Sequence, residues 1–160
     1  MQKKDFPMTT AIRFLKSKKI DFVPYEYEYL EKGGTKQTAD ELQVDEHSVV
    51  KTLVFESENS PFIVLMHGDR EVSTKEMARH LGVKKVEPAK IEDAFKYTGY
   101  MFGGTSPFGT KRAMKVYIEE GIMALEKIYI NGGKRGFIIE IKPDSLKLLD
   151  YEIVSVAIPK

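Results

Sequence analysis

The 160-residue sequence contains no cysteine. That excludes disulfides, thiolate metal sites and a cysteine nucleophile belonging to the protein itself. It also fits a reducing compartment. Neither sign of charge is in excess: 25 lysines and arginines stand against 24 aspartates and glutamates, a formal net charge of +1. Net charge therefore gives no argument for nucleic acid, although a local basic patch is compatible with it. Long apolar runs are missing too. The N-terminal MQKKDFPMTT has no apolar signal-peptide core, and no stretch approaches a membrane span. These absences read as a soluble, cytoplasmic protein. The three histidines, His47, His67 and His80, lack metal-ligand spacing. No G-x-S-x-G nucleophile elbow and no phosphate-binding P-loop motif occur. There is no linker, repeat or low-complexity tract.

What is there is an ordinary globular balance, 42% hydrophobic and 31% charged. The length favours one domain, residues 1–160, with a real core. Met8, Ala11, Ile12 and Leu15 follow helical spacing, predicting a first helix over about Thr9 to Lys19. Asp21 to Tyr29 alternates and is aromatic, so it reads as a strand, with Pro24 marking an edge or a bend. Tyr25, Tyr27 and Tyr29 then share one face, as a packing stripe or as a platform for a base or sugar. Thr38 with Glu41 and Ser73 with Glu76 have capping-box spacing, and Gly82 is a helix stop. Ser48–Glu56 and Pro61–His67 are strong strands. Ile91, Ala94 and Phe95 predict a short amphipathic helix ending near Gly99. Further strands are expected at Lys84–Glu87, Tyr100–Phe102, Ala113–Glu119, Glu126–Ile130, Phe137–Ile141 and Tyr151–Ala157, with a short helix from Pro143 to Leu148. Without a clean βαβ repeat, the pattern fits an α+β domain around a mixed, barrel-like sheet with helices around it.

Two stretches carry chemistry. In SVVKTLVFE, Val49, Lys51, Leu53 and Phe55 share a face, and Val50, Thr52 and Val54 the other. Both faces are apolar, so the strand should be interior, and Lys51 points where Leu53 and Phe55 point. An unpaired buried ammonium is costly. Lys51 either snorkels or pairs with a glutamate, or it forms the wall of a pocket for an anionic or carbonyl-bearing ligand. In GYMFGGTSPFGTKR, Gly103, Gly104 and Thr105 lack bulk, and Pro107 restrains Ser106 before it. Such backbone either makes a plain surface turn or aims N–H groups into a cavity as an oxyanion cradle needs. A third stretch, INGGKRGF, carries a hairpin signal at Asn131-Gly132. Lys134 and Arg135 at its tip, and Lys111 and Arg112 after the glycine loop, are either solvated cations or phosphate contacts.

VVKTLVF, TGYMFGGTSPFGTKR and YINGGKRGFIIEI, in this order and spacing, resemble the YbaK/EbsC family. It comprises free-standing aminoacyl-tRNA deacylases and the editing domain inserted in bacterial prolyl-tRNA synthetases. The resemblance extends from TTAIRFLKSKKIDF to LLDYEIVSVA, and the three motifs are specific only jointly. It implies a compact α+β fold and hydrolysis of the ester between a mischarged amino acid and the 3′ end of a tRNA, with no cofactor and no metal. Within it, Lys51 would hold the acceptor end or carbonyl region. The loop Gly103, Gly104, Thr105, Ser106 and Pro107 would position the ester and supply backbone donors. Tyr25, Thr52, Asn131 and Gly132 would contact substrate, and Lys111, Arg112, Lys134 and Arg135 the tRNA phosphates.

With no synthetase attached, the chain looks most like the subgroup that deacylates Cys-tRNA(Pro). There the substrate's own thiol attacks its ester carbonyl and leaves a cyclic thioester, which suits a protein with no nucleophile of its own. Two positions depart from the subgroup: Ile138 stands where an aspartate is common, and Gly34 where a pocket aromatic is expected. Both bear on the amino-acid side chain, so an Ala-tRNA(Pro)-type deacylase remains open. So does a non-catalytic module that binds an aminoacyl-nucleotide or tRNA. The partners implied are aminoacyl-tRNA, specifically tRNA(Pro), and, as an open point, prolyl-tRNA synthetase.

Overall fold

Strand β3 (Ser60–His67) organises the molecule because both of its faces are apolar. We describe it from a computed structural model covering residues 5–58 and 60–160. Side chains alternate across a strand. Ile63 and Leu65 enter a core with Ala11, Ile12 and Leu15 of helix α1 (Thr10–Ser17). Phe62, Val64 and Met66 enter a second core with Met77 and Ala78 of helix α3 (Thr74–Leu81). A third, smaller core gathers Ala39 of α2 (Gly34–Leu42), Val49, Tyr129 and Ile138.

The remaining strands are β1 (Val23–Glu26), β2 (Val49–Ser57), β4 (Arg70–Val72), β5 (Glu87–Pro88), β6 (Val116–Glu119), β7 (Ile128–Lys134), β8 (Phe137–Ile141), β9 (Tyr151–Val154) and β10 (Ala157–Pro159). Helices α4 (Ile91–Thr98) and α5 (Glu120–Met123) complete the fold with 3-10 turns at Glu46–Ser48 and Pro143–Leu148. The main sheet has the order β1-β8-β7-β2-β3-β6-β9, with β5 added beside β2, and β4 pairs with β10 separately. β2 with β3 and β7 with β8 are antiparallel, whereas β2 with β7, β3 with β6 and β6 with β9 are parallel. The architecture is the expected α+β one with a large mixed sheet. The sheet is nevertheless open, with β1 and β9 at its ends.

Local signals account for several boundaries. Thr9 accepts from the Ile12 amide and caps α1. Ser73 accepts from the Glu76 amide, and Gly82, at φ 71°, ends α3. Other expectations are corrected. Helix α2 begins at Gly34, and Thr38 is buried inside it with its hydroxyl paired to the Tyr27 hydroxyl at 2.6 Å, so it caps nothing. The strand expected over Asp21–Tyr29 is paired only at Val23–Glu26, and Tyr100–Phe102 is loop. Asn131-Gly132 is not the hairpin turn. Asn131 Oδ1 accepts from the Gly133 and Lys134 amides, which builds a bulge inside β7. The turn falls at Arg135-Gly136, where Gly136 takes φ 74°.

Candidate active site

β2 runs beside β7 only at Val49 and Val50, and beside β5 only at Phe55 and Glu56. Between them, among the described residues, Lys51, Thr52 and Leu53 have no strand partner on that edge. The sheet is parted there. A cavity of about 820 Å³ lies against the parted segment, walled by all of Val49–Phe55, by Tyr27, Tyr29 and Thr38, and by Tyr129, Asn131 and Ile138. Gly103 and Thr105 of the glycine loop face the same space.

Lys51 is half-buried in this wall. Its ammonium donates to the backbone carbonyl of Arg70, and no carboxylate within salt-bridge distance pairs with it among the described residues. Burial, and secondarily the Lys160 charge, hold its pKa below the usual lysine value, although Glu71, Glu46 and Asp69 pull the other way. One ammonium proton is engaged by Arg70, which leaves two for a ligand. Thr52 presents a second unmet demand. Its hydroxyl oxygen is buried and has no hydrogen-bond partner among the described residues. Such a group costs about 1–3 kcal/mol unless something pairs with it.

The glycine loop divides into two halves. Its second half is an anchor. Ser106 and Phe108 are fully buried, the Ser106 hydroxyl accepts from the Phe108 amide at 3.0 Å, and Phe108 stacks on Phe14. Pro107 is buried as well. Its first half faces the cavity. A Cβ on Gly103, which has φ 88°, would lie 2.5 Å from the Tyr29 hydroxyl, and one on Gly104 would lie 2.7 Å from the Arg135 amide nitrogen. Gly104 is therefore demanded by the hairpin backbone packed behind it, and Gly103 by its positive φ and the Tyr29 side chain. Arg135 Nε donates to the Phe102 carbonyl at 2.7 Å, and Asn131 Nδ2 to the Gly103 carbonyl at 3.3 Å. The Gly104 amide is used by Met101 O. The Gly103 and Thr105 amides, in the part of the loop that lines the cavity, have no protein acceptor among the described residues.

The structure thus brings together Lys51, Thr52, Gly103, Thr105, Asn131 and Arg135 around one space, with Gly34 and Ile138 also in its wall. Gly104, Ser106, Pro107 and Gly132 stand behind the wall. Tyr25 also lies outside it. Its hydroxyl donates to Glu140 at 2.9 Å, and burial with that carboxylate raises its pKa to about 12. Tyr27 and Tyr29 of the same stripe line the cavity instead. Lys111, Arg112 and Lys134 are exposed beside it, with the Arg112 guanidinium over the Tyr97 ring. Sequence reasoning missed the second flank of the mouth, Ile91 and Phe102, whose signal was an apolar side chain next to a loop. Among the described residues no group of three or more His, Cys, Asp or Glu side chains is placed to hold a metal ion, and no helix is long and apolar enough to cross a membrane.

Comparison with known proteins identifies the family. The family model for the aminoacyl-tRNA editing domain matches residues 32–149. The chain is 31% identical over 147 residues to the provisionally named Cys-tRNA(Pro)/Cys-tRNA(Cys) deacylase EbsC of Enterococcus faecalis, covering 91% of this chain and 90% of that one. It is 30% identical over 101 residues to the proline–tRNA ligase of Ligilactobacillus salivarius, covering 63% of this chain but only 18% of the ligase. Among solved structures, a provisionally assigned trans-editing enzyme for prolyl tRNA synthetase superposes with a TM-score of 0.78 at 20% identity, over 92% of this chain and 96% of that one. A hypothetical protein superposes with a TM-score of 0.84, also at 20% identity, over 93% of this chain and 99% of that one. The chain belongs to the aminoacyl-tRNA editing domain family, and its activity is that of a deacylating hydrolase.

Proposed function

We propose that the protein removes a wrongly attached amino acid from tRNA(Pro), acting in trans, with Cys-tRNA(Pro) as the substrate. One observation carries this reading: among the described residues, a half-buried ammonium without a carboxylate partner, an unpartnered threonine hydroxyl and two unengaged backbone amides belong to residues that border the same cavity. The 31% identity to EbsC supports the choice of cysteine.

In this reading Lys51 holds the acceptor end at the ester carbonyl. The Gly103 and Thr105 amides take up the negative charge that develops on the carbonyl oxygen, and Thr52 and Asn131 orient the ester. Cationic Lys111, Arg112, Lys134 and Arg135 meet tRNA phosphates. The cysteinyl thiol gives up its proton and its sulfur attacks the carbonyl carbon. The C–O bond to the ribose then breaks, the ribose oxygen takes a proton, and a cyclic thioester leaves. Positioning and charge stabilisation are then the whole of the protein's share, consistent with a chain that has no cysteine.

Ile138 favours a second reading. It contributes an apolar wall where a carboxylate is common in the cysteine-specific subgroup, and alanine on tRNA(Pro) suits such a wall. Deacylation of Cys-tRNA(Pro), Ala-tRNA(Pro) and Pro-tRNA(Pro) by the protein and its Lys51→Ala variant decides between them. We expect turnover of the cysteinyl species, sparing of the prolyl one, and a drop of about 10²–10³ in rate for the variant, the scale of losing one charge-stabilising donor. Turnover of alanyl-tRNA alone supports the second reading. Absence of any turnover, with retained tRNA binding, leaves a binding module.

A further inference from the structure

Four large apolar side chains lie exposed on α4 and the loop after it, two of them at the cavity. Ile91 and Phe95 are 57% and 52% accessible, and Met101 and Phe102 are 59% and 62%. Ile91 and Phe95 are four residues apart on α4 and so share one face of that helix. Met101 and Phe102 follow directly, and Ile91 and Phe102 both border the cavity. The exposure of Phe102 is enforced. Its carbonyl is pinned by Arg135, the next carbonyl by Asn131, and the Gly104 amide closes a turn onto Met101. The segment therefore cannot fold its apolar side chains inward without breaking three hydrogen bonds.

Cations flank the lip. The Arg135 guanidinium lies over the Tyr29 ring, 5.1 Å from its centroid. The amides of Lys111 and Arg112 bond back to the Thr98 and Tyr97 carbonyls, which seats both residues at the C-terminal end of α4. The acidic residues of the helix, Glu92 and Asp93, lie in its first turn, at other positions than the Ile91–Phe95 face. Apolar and aromatic surface bordered by cations and continuous with a cavity matches unpaired nucleotides: bases stack on the rings while phosphates meet the charges.

We propose that the lip of Ile91, Phe95, Met101 and Phe102 is the seat for the unpaired nucleobases at the 3′ end of the tRNA, with Phe102 as the stacking ring. This rests on the reading of the cavity as an aminoacyl-tRNA site. Stacking of this kind tolerates any base, because each has a π face. It acts equally on ground and transition states, so its loss raises KM and leaves kcat unchanged.

The test has two arms. In the first, Phe102→Ala and Phe102→Trp are assayed for deacylation. We expect the alanine variant to raise KM about tenfold, the scale of one lost base stack, with kcat retained, and tryptophan to restore it. In the second, unacylated hairpin RNA with a single-stranded 3′ end is titrated against the same RNA with abasic 3′ nucleotides. Intact RNA should lose about tenfold in affinity on Phe102→Ala, and abasic RNA should bind both proteins alike. Equal loss on intact and abasic RNA, or no loss on either, overturns the proposal. So does self-association that Phe102→Ala abolishes, which gives the lip to a second copy. If the protein deacylates nothing, the cavity reading fails on its own, and the RNA titration still decides the lip.

Discussion

At the scale of single residues, Lys51 is the clearest case of a side chain at odds with its surroundings. Leu53 and Phe55 follow it along one face of β2, burial lowers its pKa, and its only hydrogen-bond acceptor among the described residues is the neutral Arg70 carbonyl. The protonated form is the one that serves an ester or phosphate. As pH rises through the lowered pKa that charge is lost, so kcat/KM should fall on the alkaline side below the ordinary lysine range. Lys51→Arg, which stays protonated, should flatten that limb whatever its absolute rate. A pH–rate profile of the two proteins checks it, and an identical alkaline limb in both would assign the titration elsewhere. This lysine was legible in the sequence because period-two alternation on an apolar strand leaves a charge nowhere ordinary to go. Tyr25 was not: alternation gives all three tyrosines one face, but β1 ends at Glu26, and only Tyr27 and Tyr29, beyond it, reach the cavity.

At the scale of elements, the glycine loop and the β7–β8 hairpin behave as one unit. The sequence shows the bare backbone of GGTSPFG but not what it is bare for. Gly104 is small because the Arg135 and Lys134 backbone lies where its Cβ would go. Gly104→Ala should therefore cost about 1–3 kcal/mol by overpacking, read as a lower denaturant midpoint at unchanged slope. It should also lower deacylation at temperatures where the variant is fully folded, because the hairpin must move and carries Asn131 and Arg135 with it. Capping signals were legible where the side chain had only local duties, as with Ser73 and Gly82. They misled where tertiary contacts claimed the same group: Thr38 bonds Tyr27, and Asn131 folds onto its own strand to make a bulge. The parting of β2 from β7, which creates the cavity, depends on pairing between segments 80 positions apart, and no local pattern encodes it.

At the scale of the whole molecule, the pH dependence of stability follows from the groups whose pKa differs between the folded and unfolded chain. Glu119 is one. Its side chain is buried where β6 meets α5, and it accepts from the Val156 amide at 2.7 Å. Burial raises its pKa despite that bond. A carboxyl whose native pKa is raised binds its proton more tightly folded than unfolded. Its stabilising contribution is therefore full below the unfolded value near 4.5 and is lost as pH rises through the native pKa. Glu119→Gln should remove that decline while retaining an acceptor for Val156. Melting temperatures of both proteins between pH 4 and pH 8 test it, the variant gaining most relative to the parent at the upper end.

The carbonyl that clasps Lys51 belongs to Arg70, in β4, and the sheet partner of β4 is β10, a strand contributed by residues 157–159. Lys51 is thus tethered, through β4, to the strand at residues 157–159. Whatever loosens β10 from β4 therefore also loosens the anchor of this ammonium, although neither strand belongs to the main sheet. Removing residues 157–160 should depress deacylation by more than the accompanying fall in melting temperature explains, with thermal melts and initial rates measured on the same preparation.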